Sequence, residues 1–172
     1  MPDPQRPDPQ RPDRPAPDTQ GERDRDARGR ARNARPRDAY GRPLPHGAPG
    51  IPTTPDDFDL PPDEALAEAQ RLLDADRPFH AHEVLEAVWK ASPESERELW
   101  RALAQVAVGI THLRRGNPRG AQALLSRAAD RLDEYGSNAD DTHGIDIPRL
   151  TSAVRALAEE LPLDTVVRLR LR

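Results

Sequence analysis

The sequence predicts an all-α protein, a compact antiparallel bundle of about five helices behind a disordered N-terminal arm. Three observations carry this. Fifteen of the twenty prolines lie within residues 1–62, and proline interrupts both helices and ladders. From Pro61-Pro62 onward, apolar residues recur with a helical period. Pro78, Ser92-Pro93 and Gly116-Asn117-Pro118 then punctuate that pattern at helix-length intervals.

The arm spans residues 1–57. It opens on a repeated Pro-Asp-Pro-Gln-Arg unit and passes into a mixed-charge run over 21–38. Almost nothing in it could bury a side chain, which predicts disorder. Eleven arginines and eleven acidic residues cancel within residues 1–62, so the remainder carries the whole net charge of −4. An acidic domain without a basic stripe argues against a nucleic-acid partner, whose binding is mainly electrostatic. Cysteine is absent, which excludes disulfides and thiolate chemistry. No apolar run reaches the length of a membrane span, and the N-terminus has no apolar signal core. The expectation is a cytoplasmic protein with no membrane partner.

The helical domain is placed at residues 58–172, long enough for one small core. Its first helix, residues 63–76, carries Ala65, Leu66, Ala69, Leu72 and Leu73 on one face behind an acidic first turn. Pro78 opens a second helix running to about Ala91. Ser92-Pro93 starts a third, to about Arg115, with Leu99, Leu103, Val106, Ile110 and Leu113 inward and Trp100 at the edge. In Gly116-Asn117-Pro118, glycine ends that helix left-handed, asparagine caps the next and proline opens it.

The fourth helix runs to about Tyr135, with Ala121, Leu124, Leu125, Ala128 and Leu132 inward. A polar loop over 136–145 precedes a fifth helix near 147–160 bearing Leu150, Val154 and Leu157. The end of the chain alternates from Val167 as a short extended arm would. No self-similarity at the period of helical-pair repeats is present, so a bundle is preferred to a solenoid.

The chemistry concentrates in Phe-His-Ala-His-Glu-Val-Leu-Glu-Ala-Val-Trp, residues 79–89. At about 100° per residue, Glu86 lies about 40° from His82, with Trp89 and Leu85 about 20° and 60° to the other side. His82 and Glu86 thus fall on an apolar face, one turn apart and able to touch. His80 falls about 160° away, which excludes a His-x-His chelate from one regular helix, and Glu83 is marginal. Three readings stay open. The pair could be a buried hydrogen-bonded device that sets helix register. It could line a pocket for a ligand or a partner's side chain. Or His82, Glu86 and His112 could ligate a metal, although the paired Glu-x-x-His set of di-metal bundles is missing.

Phe79-x-Ala81-His82-Glu83-x-Leu85-Glu86-x-x-Trp89, followed by Gln105 and His112 and then by Gly116-Asn117-x-x-Gly120-Ala121, resembles the bacterial domain of unknown function 309. The likeness covers roughly residues 63–135 and implies a small all-helical domain with no established activity. The chain departs from it in the third helix, where Arg101-Ala102-Leu103-Ala104-Gln105 stands for a motif that usually reads Gln-Gly-Leu-Ile-Gln. Read alone, Gln105 and His112 share a solvated stripe with Glu98 and Arg101. The resemblance raises the alternative that they face His82 and Glu86 across the second and third helices, with Gly109 allowing close approach.

No nucleophile elbow and no phosphate-cradling glycine loop appear in the sequence. The leading reading is a non-catalytic binding or scaffolding module with a buried polar cluster of His82, Glu86, Gln105, His112, Trp89 and Glu83. The alternative is a metal-dependent enzyme using His82 and Glu86 as ligands or as an acid–base pair. No cofactor is expected. The partner is an unknown protein or small molecule, and a bundle of this size can also pair with a second copy.

Overall fold

The computed structural model describes residues 35–52, 60–138, 141–162 and 169–172. Five helices follow in order: α1 (Pro62–Asp74), α2 (Pro78–Ala91), α3 (Glu94–Arg114), α4 (Pro118–Asn138) and α5 (Ile147–Glu160). Among the described residues there is no strand beyond isolated bridges of Arg37 to Pro43 and Ile51. The all-α prediction holds, and no described helix is long and apolar enough to cross a membrane.

The helix ends follow local chemistry closely. Pro62 and Pro78 sit in first turns, where a missing N–H costs nothing. Gly116 adopts φ +71° after α3, and Asn117 Oδ1 accepts from the Gly120 N–H at 3.0 Å to cap α4. Asp146 caps α5 in the same way through Arg149 N at 3.0 Å. Ser92 departs from expectation. Its hydroxyl turns back to the Val88 carbonyl at 2.7 Å, closing α2 where it was expected to cap α3.

Each helix packs on its neighbour in sequence, α1 on α2, α2 on α3, α3 on α4 and α4 on α5. Sitting between α2 and α4, α3 is buried around most of its girth. Ala102, Ala104 and Ala107 are covered along with the predicted Leu99, Leu103, Val106, Ile110 and Leu113. Trp100, expected at the edge, is fully enclosed. Gly109 marks the tightest point, since a β-carbon there would fall 2.7 Å from Leu125 Cγ of α4.

Two extended segments complete the fold. At the C-terminal end, Leu169 and Leu171 are buried while Arg170 and Arg172 are exposed. Gln70 of α1 holds this segment as a strand neighbour would, accepting from Leu171 N at 2.9 Å and donating to the Leu169 carbonyl at 3.0 Å. The alternating arm is therefore present over 169–172, and residues 163–168 lie outside the described residues.

The N-terminal side needs a correction. Residues 35–52, assigned to the arm on composition, make defined contacts with the helices. The Tyr40 hydroxyl donates to Asp76 Oδ2 at 2.8 Å, and Arg115 Nε donates to the Tyr40 carbonyl at 2.7 Å. Gly41, at φ +71°, presses so closely on Phe79 that a β-carbon would clash with Cδ2 of its ring. Contact density joins Arg35–Arg172 in one unit. Composition averages over such a segment, whereas the contacts here come from two of its residues, Tyr40 and Gly41, with Asp76, Arg115 and Phe79. The expected disorder of residues 1–34 and the boundary at 57/58 lie outside the described residues.

Candidate functional site

The core face of α2 is not the one read from the sequence. His80, Ala81, Val84, Leu85 and Val88 point inward, a stripe centred about 130° from His82. His82 and Glu86 therefore sit at the margin, with side chains 24% and 33% exposed. They do touch, Nε2 to Oε2 at 3.4 Å, and Glu86 Oε1 also meets Lys90 Nζ at 3.1 Å. Trp89 and Glu83 flank them, both half-buried, and the Phe79 ring lies 6.1 Å from the His82 ring between centroids. The result is a surface stripe of alternating charge and aromatic character, not a sealed polar core.

His82 is nonetheless poorly served by the fold. Its Nδ1 is buried and has no hydrogen-bond partner. Burial pushes its pKa below the ordinary imidazole range, Glu86 draws it up and Lys90 opposes that. His80, which the wheel placed on the far side, is 3% exposed, and neither of its ring nitrogens has a partner. Burial depresses its pKa as well, with Arg77 acting in the same direction and Asp38 against. Counting Val84 and Val88 in the apolar arc would have found it, since the far side of the wheel is where they lie.

Among the described residues no hydrogen bond or ion pair joins Gln105 or His112 to the α2 pair. The stripe they share on α3 runs to α4: Glu98 reaches Arg131, Gly109 meets Leu125, and His112 Nδ1 accepts from Asn117 Nδ2 at 2.9 Å. Because Asn117 Oδ1 is engaged by the Gly120 N–H, its amide orientation is set, and Nδ1 of His112 is the acceptor. A β-carbon at Gly120 would fall 2.5 Å from Asn117 Nδ2 and 2.6 Å from His112 Nδ1. The His112, Gly116, Asn117 and Gly120 motif is thus a joint between α3 and α4. Gln105 is half-buried on the same stripe, with Oε1 buried and unpartnered.

That joint yields a prediction. Asn117→Ala removes the α4 cap and the His112 contact together and is expected to cost about 1–2 kcal/mol. Urea denaturation checks it, and a loss under about 0.5 kcal/mol would show that the motif has another purpose.

The proposed ligand set of His82, Glu86 and His112 is not assembled. His112 is committed to Asn117, and no group of three or more His, Asp or Glu among the described residues could hold a metal.

Sequence reasoning missed two further clusters. Asp76 accepts from Arg114 Nε at 2.7 Å and from Tyr40, with the Arg114 side chain 7% exposed. Glu96 Oε2 meets both Trp100 Nε1 at 3.3 Å and His143 Nε2 at 2.9 Å. Both join residues far apart in the chain, and no periodic pattern announces such contacts.

Comparison with known proteins gives the same restricted picture. The family model described as "Domain of unknown function (DUF309)" matches residues 66–124. The "Uncharacterized protein YpuF" of Bacillus subtilis (strain 168) is 32% identical over 84 residues, which is 48% of this chain and 48% of that protein. The chain thus spans about half the length of the curated relative it matches. No solved structure matches it. The resemblance carried by the α2 and α4 motifs is therefore borne out, and over residues 66–124 the chain is DUF309-like, similar to a family whose description assigns it no function.

Proposed function

We propose that the chain is a non-catalytic binding module whose recognition surface is the His82, Glu86 and Trp89 stripe of α2. One observation carries this reading: His82 holds a position where it harms the fold. Its Nδ1 is buried without a partner and its Nε2 reaches a carboxylate at the surface. An unsatisfied buried nitrogen costs about 1–3 kcal/mol, and leucine would fill the space without that cost. A residue that lowers stability at the rim of a surface is expected where a site serves contact with something else. Trp89 beside it, packed against the core and only partly buried, adds rigid aromatic contact area of the kind on which binding surfaces rely.

The test separates binding from architecture. His82→Leu is expected to leave the melting temperature unchanged or raise it by a few degrees, about 1 kcal/mol at most. Glu86→Gln should be neutral within about 0.5 kcal/mol, as for other exposed pairs. A loss above about 1 kcal/mol for His82→Leu would make the pair a structural device and remove the basis of the proposal.

A further inference from the structure

A cavity of about 380 Å³ opens where the start of α1, the end of α2 and the start of α3 meet. That volume lies in the range of small-molecule sites. Leu60, Pro62, Val88, Ala91 and Pro93 give it apolar walls, and one ionisable side chain, Glu96, contributes to its lining.

Glu96 is unusual for its position. It stands in the first turn of α3, where a carboxylate ordinarily folds back onto the free N–H groups of the helix. Both of its hydrogen bonds, from the Trp100 indole and with the His143 ring, fall on Oε2. Oε1 takes no hydrogen bond among the described residues. The two partners are themselves firmly placed. Trp100 is fully buried. His143 is mostly enclosed, lies tilted against Trp100 with ring centroids 5.4 Å apart, and has φ +49° with its backbone N–H donating to Asp141 Oδ1 at 2.8 Å. A carboxylate fixed on one oxygen by rigid neighbours, with the other available beside an apolar cavity, is a preorganised cation acceptor.

The helix ends at the cavity are of both signs: Val88, Ala91 and Ser92 bring the partial negative end of α2 to its wall, while Pro61, Pro62 and Pro93 bring the partial positive starts of α1 and α3. The full charge on the wall is the Glu96 carboxylate, which favours a cation over an anion, and a neutral alkyl group gains nothing from it.

We propose that this cavity binds a small free aliphatic amine in its ammonium form, with the charged group on Glu96 Oε1 and the alkyl body against Pro62, Val88 and Pro93. The site is separate from the α2 stripe and does not depend on its role.

The experiment titrates the full chain at neutral pH with n-hexylammonium, n-hexanol and n-hexanoate, following the two indole N–H signals in proton–nitrogen correlation spectra. The Trp100 indole donates to Glu96 and reports the site, while Trp89 serves as an internal control. Saturable movement of the Trp100 signal with n-hexylammonium is expected, with binding at least about tenfold weaker for the alcohol and the carboxylate. Glu96→Gln keeps the shape and the acceptor, and should weaken the ammonium about tenfold. Ala91→Leu narrows the cavity and should weaken binding of every probe.

Equal binding of the three probes, an unmoved Trp100 signal, or undiminished binding to Glu96→Gln would each overturn the proposal. A blocked lysine tripeptide serves as a fourth probe. Tighter binding of that peptide than of n-hexylammonium would assign the cavity to a partner's side chain and also refute it.

Discussion

Asp76→Asn is expected to destabilise the protein by about 2 kcal/mol and to loosen residues 36–51 from the helices. Asp76 is the hinge of three segments. It sits in the turn between α1 and α2 at φ +54°, a conformation that aspartate and asparagine tolerate better than most residues, so the substitution isolates the charge. On one oxygen it accepts from Arg114 Nε, near the end of α3, and on the other from the Tyr40 hydroxyl.

Hydrogen bonds to charged groups are worth about 1.5–3 kcal/mol. Arg114 is 7% exposed, so solvent replaces the lost carboxylate poorly. Asp76 itself is 27% exposed, which keeps the effect below that of a sealed pair. Two readouts check it. Urea denaturation gives the free energy, and hydrogen exchange at Leu44 and Ile51, whose N–H groups bond to Pro36 and Arg37 carbonyls, reports the segment. Unchanged exchange with a loss under about 0.5 kcal/mol would show that Asp76 does not secure it.

His80→Leu is expected to act in the opposite direction, stabilising the protein by about 1–2 kcal/mol, or about 3–8 °C in melting temperature. Both ring nitrogens of His80 are buried and unpartnered, and leucine offers a similar volume with nothing to satisfy. The same burial predicts a pH dependence. His80 and His82 both have folded-state pKa values below the ordinary range, while in the unfolded chain they titrate near about 6.5. Between those values the unfolded chain binds more protons, so stability rises with pH there. The melting temperature should be level above neutrality and fall as pH drops from about 6.5 through the folded-state values. His80→Leu should flatten much of that fall. A wild-type melting temperature that stays constant down to the carboxylate range would show that neither imidazole is held neutral by the fold.

The contrast between these two sites shows what a sequence records. Helix ends were legible because they are local: Gly116, Asn117 and Pro118 meet their backbone requirements within a few residues, and Asp146 does the same for α5. The inward leucines of α1 and α5, and Leu125 and Leu132 of α4, were legible because one face of each helix is buried and a single apolar stripe marks it, whereas Leu124, also expected inward, is only partly buried. In α2 the apolar positions cover a wide arc. Taking Trp89, Leu85 and Phe79 as its axis placed His82 inside and His80 outside, whereas Ala81, Val84 and Val88 carry the true axis. The pair of His82 and Glu86 was found correctly as a contact but assigned to the wrong depth.

The family motif on α3 and α4 shows a different limit. His112 and Gly120 were visible as motif residues, yet their purpose depends on how close two helices come. That distance is set by Gly109 against Leu125 and by Gly120 against His112, and a one-dimensional pattern holds no such information.

The sequence by itself determined the five helices, their ends, the faces of most of them and the family likeness, because backbone capping and apolar periodicity are local and repeat along the chain. Only the tertiary structure decided which polar residues distant in the chain meet. Tyr40 with Asp76 and Arg114, Glu96 with His143, and Gln70 with Leu169 and Leu171 are joined in this way. Those partnerships arise from packing, in which a buried polar group takes the nearest complementary atom whatever its place in the sequence.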